Sequence, residues 1–145
     1  MIDSDTQIRT TALDPTRSFC VTAPAGSGKT ELLTQRILAL LPTVDRPEQV
    51  LAMTFTRKAA AEMRERLLSK LDEARRRVEV IESYEQQTRD LALAVLAHAD
   101  ERNWSLDPEQ FNLRTIDSLC ADLTRQMPIL SGLGGAVEIT EQDKP

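Results

Sequence analysis

The chain has 145 residues, 28% of them charged and 41% hydrophobic, with a formal net charge of −5. That balance suits a globular domain with a core of its own, and it argues against gripping nucleic acid by overall positive charge. No apolar run approaches the ~18 residues of a membrane span, the first five residues lack the basic and apolar stretches of a secretion signal, and two cysteines are too few for a disulfide framework.

In chain order, residues 1–17 are polar, and Pro15 breaks any helix before the first strand. That strand is predicted over Ser18-Phe19-Cys20-Val21-Thr22, a short β-rich apolar stretch. Ala23-Pro24-Ala25-Gly26-Ser27-Gly28-Lys29-Thr30 follows, and then Leu32, Leu33, Ile37, Leu38 and Leu41 recur at helical spacing. A glycine-rich turn between strand and helix, closed by Lys29 and Thr30, is the setting of a phosphate-binding loop. Gly26 and Gly28 let the backbone curl so that successive N–H groups form an anion nest. The helix beginning near Lys29 adds the positive end of its dipole. Lys29 reaches the β- and γ-phosphate oxygens, and the Thr30 hydroxyl is a ligand for Mg²⁺. The motif usually begins with Gly; Ala23 fits if that residue keeps a negative φ. Residues 23–30 with the adjoining Glu31 are thus a candidate site for ATP and Mg²⁺, with Lys29 and Thr30 as the catalytic pair.

Pro42 and Pro47 bracket a connection, and residues 50–56 read as a buried strand. The next helix carries Ala60, Met63, Leu67, Leu71 and Ala74 on one face. Residues 57–77 hold eight basic side chains against four acidic ones, which by themselves read as a solvated helix face with pairs such as Glu62–Arg66. No Gly or Pro occurs from Glu48 to Asp107, and the apolar rhythm runs on through Val78, Ile81, Leu91, Val95 and Ala99. One helix over 58–102 would be about 68 Å long, too long for this chain, so a break is expected between Arg75 and Gln87.

Asp107 and Pro108 mark a boundary, residues 111–116 a third strand, and Asp117 or Ser118 the cap of a helix with Leu119, Cys120 and Leu123 that stops before Pro128. Gly132, Gly134 and Gly135 lead into a strand over 137–140, after which another helix is expected to begin, so the chain reads as a piece of a longer protein. Strands alternating with helices predict an α/β fold with a parallel sheet and the nucleotide at the carboxyl ends of its strands. Cys20 and Cys120 lie among apolar neighbours and are expected to be buried free thiols in a reducing cytoplasm. His98 has no metal-ligand companion and is assigned no chemistry.

Three segments carry a family resemblance. The phosphate-binding loop at 23–30, Thr54-Phe55-Thr56-Arg57-Lys58-Ala59-Ala60-Ala61-Glu62-Met63-Arg64-Glu65-Arg66 and Arg114-Thr115-Ile116-Asp117-Ser118-Leu119-Cys120 resemble three successive motifs of superfamily 1 helicases of the UvrD/Rep group. The long helical stretch between the last two is more similar to the exonuclease-associated AddA and RecB helicases. The resemblance implies a P-loop NTPase (RecA-like) parallel sheet flanked by helices, an incomplete motor domain over 1–145 with a helical insertion at about 68–106 and the start of a further subdomain at about 132–145. It implies an ATP-dependent helicase or translocase of DNA repair or recombination, acting on single-stranded DNA, cytoplasmic, with a nuclease as a candidate partner and no membrane partner. It places Gln7 on the adenine, and Thr54, Phe55, Thr56, Arg57, Thr115 and Ser118 at the DNA. An aromatic face such as that of Phe55 accepts any base, which suits a motor indifferent to sequence, although Phe55 could simply be core. The resemblance also makes the basic segment after it a backbone-tracking surface. Asp117 stands where many relatives carry His. The acidic Mg²⁺ ligand and the arginine finger that phosphoryl transfer needs are not found in the chain.

Two other classes fit parts of the sequence. A small stand-alone P-loop phosphotransferase would use Asp117 as the acidic Mg²⁺ ligand, but residues 113–116 are poorly apolar for the central strand that carries such a group. A non-catalytic interaction module would use the helical region around Arg75, Arg76 and Arg77.

Overall fold

The computed structural model describes residues 4–77 and 82–127. Its elements run α1 (Ser4–Ala12), α2 (Lys29–Leu40), β1 (Leu51–Thr54), α3 (Arg57–Arg75), α4 (Ser83–Arg102), β2 (Asn112–Thr115) and α5 (Ile116–Gln126), with short 3₁₀ turns before β1 and β2. β1 and β2 form a two-stranded parallel sheet in which Leu51 faces Asn112 and Thr54 faces Thr115. The crossover between them consists of α3 and α4, as a parallel pair requires a long connection. The α/β character read from the sequence is therefore present. The expected strand over 137–140 and the subdomain at 132–145 lie outside the described residues.

The core is where the three long helices meet β2. Leu38 and Leu41 from α2 and its end, Leu67 from α3 and Val95 from α4 are completely buried, joined by Ile37, Leu71, Ala92, Phe111 and Leu113. All five residues expected on the inner face of α3 are buried. The expected break falls in its window, because α3 ends at Arg75 and α4 starts at Ser83. Position 68 lies inside α3, with no change of element there. Arg64 ties α3 to the sheet by donating to the Leu113 carbonyl at 2.8 Å.

Four expectations need correction. The segment 18–22 forms no strand; it lies against α2, whose Arg36 donates to the carbonyls of Ala12, Asp14 and Arg17 and covers the Phe19 ring at 5.2 Å. Arg36 thus takes up the chain in place of a ladder with β1 or β2. The N-terminal residues, read as merely polar, hold helix α1. The cap of α5 is Thr115, whose hydroxyl accepts from Ser118 N at 3.1 Å, so Asp117 and Ser118 sit in the first turn. Cys20 and Cys120 are both exposed, because 18–22 stands outside the sheet and α5 buries none of its residues among those described.

His98, assigned no chemistry from the sequence, makes structural contacts. Its Nε2 donates to the Val44 carbonyl at 2.8 Å, its ring meets Trp104 edge-on at 5.1 Å, and Trp104 and Arg102 both bond Asp45. These contacts fasten the turn before β1 to the end of α4. Among the described residues, no helix is long and apolar enough to cross a membrane. Leu67→Ala is expected to cost about 2–5 kcal/mol in urea unfolding, because Leu67 is wholly buried where α3 meets α4 and β2.

Candidate functional site

The loop before α2 has the backbone that its glycines foretold. Gly26 and Gly28 take φ of 76° and 78°, the left-handed region open to glycine, and Gly28 is the N-cap of α2. The first turn of α2 contains Lys29, Thr30 and Glu31, so the free N–H groups of the helix start in the loop. A Cβ on Gly26 would meet nothing within 4 Å, whereas one on Gly28 would lie 3.3 Å from the Arg9 guanidinium. The Ser27 hydroxyl is buried without a hydrogen-bond partner. A polar atom left unpaired between two left-handed glycines is what an anion-binding cradle presents.

The charges around the loop come from two sides. Lys29 folds back over its own loop, donating to the carbonyls of Ala23 and Pro24 at 2.5 and 2.6 Å. From α1, Arg9 donates to the Ser27 carbonyl at 2.6 Å. Glu31 points away from the loop: Thr88 of α4 donates to its Oε1 at 3.1 Å, and Arg66 of α3 stands 3.7 Å from its Oε2. Arg66 therefore reaches across to α2 rather than pairing with Glu62 as expected. Gln7 is exposed on α1, one residue from Thr6, which lines an open cleft of about 650 Å³ between α1, α2 and α4. A second hollow of about 440 Å³, walled by Phe19, Val21, Leu32 and Leu33, lies on the side of Lys29. Among the described residues, no group of three or more His, Cys, Asp or Glu could hold a metal ion.

The other candidate residues converge at one end of the sheet. Thr54 and Thr115 are paired in register, and each strand runs straight into a helix capped by a threonine. Thr56 accepts from Ala59 N at 3.1 Å to cap α3, as Thr115 does from Ser118 N to cap α5. Thr54 spends its hydroxyl proton on the Thr56 carbonyl at 2.9 Å, which shapes the turn holding Phe55. Phe55 is 88% exposed and is no part of the core that the described residues form. Arg57 is exposed in the first turn of α3. Much of the basic stretch beyond it is engaged within the fold, by Lys58–Glu62, Lys70–Glu73 and Arg76–Asp72 along α3 and by Arg64 and Arg66 to other elements. Beneath this end, hydrogen bonds from Arg125 and Arg114 hold the Asp122 carboxyl below the usual carboxylate range.

The UvrD/REP helicase N-terminal domain model matches residues 4–144. The chain belongs to the UvrD/REP helicase family. An ATP-dependent helicase/nuclease subunit from Desulfitobacterium hafniense is 34% identical over 134 residues, covering 90% of this chain and 9% of that protein. Its namesake in Lactobacillus johnsonii is 32% identical over 110 residues, 76% of this chain and 8% of its own length. The ATP-dependent DNA helicase UvrD2 of Mycobacterium tuberculosis is 48% identical over 73 residues, half of this chain and 10% of that protein. The chain thus spans about a tenth of the length of the curated relatives it matches. No solved structure matches it.

Sequence reasoning missed Arg9, Gln35 and Thr88. Arg9 lies 18 residues before the carbonyl it holds, and Gln35 pairs with Thr88 across 53 positions. No local pattern links such positions. Gly28→Ala is expected to cost roughly 1–2 kcal/mol in unfolding experiments, because alanine disfavours the left-handed conformation and its methyl group meets Arg9.

Proposed function

We propose that this chain is the ATP-binding part of the first motor domain of a DNA helicase or translocase that moves along single-stranded DNA in repair or recombination. The observation that carries the reading is the cradle at 23–30: two left-handed glycines, an unpartnered Ser27 hydroxyl and the start of α2 in one turn. These features fit a triphosphate, since they offer donors and a fixed positive dipole end where its oxygens need them. Lys29 would exchange the carbonyls of Ala23 and Pro24 for phosphate oxygens, keeping charge-assisted hydrogen bonds throughout. The exposed Thr30 hydroxyl is the proposed ligand for Mg²⁺, which would neutralise phosphate charge there. Gln7, exposed on α1, is proposed as an adenine contact.

The DNA reading is supported by the sheet end where Thr54, Phe55, Thr56, Arg57, Thr115 and Ser118 gather. Two helix N-termini point there beside an exposed aromatic ring, offering amides to a backbone and a face to a base. Leu51 and Met53 on β1 and Leu123 on α5 are also exposed apolar side chains, which fits a sheet that further strands of the parent motor domain cover. Hydrolysis belongs to that longer protein, which would supply the acidic metal ligand and arginine finger. A nuclease partner and a cytoplasmic setting follow the same reading, in keeping with the helicase/nuclease relatives.

Lys29→Ala in the full-length protein is expected to abolish the rise in melting temperature that MgATP produces, since only ligand binding to the native state causes that rise. An undiminished rise in the variant would overturn the nucleotide reading. Phe55→Ala is expected to weaken single-stranded DNA binding by ~1–3 kcal/mol in a fluorescence titration. Its unfolding midpoint should not move, because the ring is almost fully exposed.

A further inference from the structure

The loop before α2 is held from outside by a side chain of α1. Arg9 stands in the last turn of that helix, half-buried, and donates from Nη2 to the Ser27 carbonyl at 2.6 Å. A Cβ on Gly28 would lie 3.3 Å from Nη1, 3.6 Å from Nη2 and 3.9 Å from Cζ. The guanidinium therefore rests against the bare side of that glycine. Gly28 thus uses both of its freedoms here, its φ of 78° and its missing side chain.

The helix that presents Arg9 is itself seated. Ala12 and Leu13, next along the chain from it, are buried. Arg36 of α2 donates to the carbonyls of Ala12 and Asp14. Arg9 reaches the loop from a fixed base.

What its bond does follows from the shape of the peptide unit. Across a trans peptide the C=O and the N–H point in opposite directions. With the Ser27 carbonyl drawn to Arg9, the Gly28 N–H is turned away from that guanidinium. The neighbouring groups are already engaged: the Ser27 N–H donates to the Pro24 carbonyl at 3.4 Å, and the Gly28 carbonyl accepts from Leu32 N at 3.0 Å. Rotating the Ser27–Gly28 peptide would break the Arg9 bond and set an oxygen where the amide had been. An anion is held by N–H groups and repelled by carbonyl oxygens, so that rotation decides whether the loop can bind one. Lys29 stands differently. Its bonds to Ala23 and Pro24 are exposed, so it can exchange them for a ligand, whereas the Arg9 bond is partly buried.

We propose that Arg9 is a positioning residue of the phosphate loop. By clipping the Ser27 carbonyl it fixes the Gly28 N–H as a donor to a phosphate oxygen and keeps the carbonyl from facing that oxygen. The guanidinium acts through the peptide and does not touch the ligand. The inference rests on the nucleotide reading above and adds a residue of α1 to it.

The test measures inorganic tripolyphosphate and ATP binding to the full-length protein at fixed Mg²⁺. Arg9→Met removes the donor and should lower both affinities by the same factor, roughly three- to tenfold. The loss should persist at high salt, where screening removes the through-space effect of a charge near the surface. Arg9→Lys keeps a donor of similar reach and should recover most of the loss. Single-stranded DNA affinity without nucleotide should match wild type in both variants, which a general loosening of the fold would not allow. Should Arg9→Met fail to fold, Arg9→Gln serves instead with the same losses expected, since its amide nitrogen stops two bonds short of the guanidinium nitrogens. Unchanged tripolyphosphate affinity, a loss that disappears at high salt, or an Arg9→Lys no better than Arg9→Met overturns the assignment. So does a matching loss of DNA affinity. Lys29→Ala must abolish tripolyphosphate binding. If it spares that binding, the nucleotide reading itself fails; if it abolishes it while the Arg9 variants bind as wild type does, only the role of Arg9 falls.

Discussion

Everything at the glycine loop proposed as a phosphate cradle depends on where α2 is held. A helix can offer its N-terminal amides to an anion only if its axis is fixed, and α2 is fixed by burying Ile37, Leu38 and Leu41 against α3, α4 and β2. Fully burying a side chain of this kind is worth about 1.5–3 kcal/mol each, far more than any single polar contact at the loop. The cradle is therefore a surface feature on a strongly seated core element. The same core seats α3, whose first turn carries Thr56 and Arg57, so both ends of the candidate machinery rest on one set of apolar contacts.

The polar contacts have a different task. Arg36 gathers the chain between α1 and the loop by three carbonyls, and Arg9 returns from α1 to the Ser27 carbonyl. Each uses the fork of a guanidinium to hold backbone that no ladder holds. Glu31, Gln35 and Thr88 join the first two turns of α2 to α4, and Arg66 joins Glu31 to α3. A displacement of the first turn of α2 is thereby felt at both neighbouring helices. Buried polar groups of this sort specify one arrangement, because every alternative leaves a donor or acceptor unpaired.

The fold was legible in the sequence wherever a short-range rule governed it. The inner face of α3 was marked by Ala60, Met63, Leu67, Leu71 and Ala74 at helical spacing, and all five are buried. β1 and β2 fell inside their predicted stretches, each followed closely by a helix that a threonine caps. The segment 18–22 carried the same signal as β1 and is no strand, because β-propensity states only that a residue suits a sheet, not that a neighbour is there to pair with. α5 shows the same limit: its pattern is amphipathic, yet Leu123 is exposed because no described element covers it.

The residues alone determined the conformation of the loop at 23–30. Glycine's freedom at positions 26 and 28, the lysine and hydroxyl that follow, and the helix they open are local properties of eight consecutive positions. Tertiary structure decided what surrounds that cradle: that Phe55 faces solvent, that Arg66 crosses to Glu31, and that Gln35 turns its oxygen from Thr88. Those outcomes join positions tens of residues apart, and only the packing of α2, α3 and α4 brings them within the few ångströms over which hydrogen bonds act.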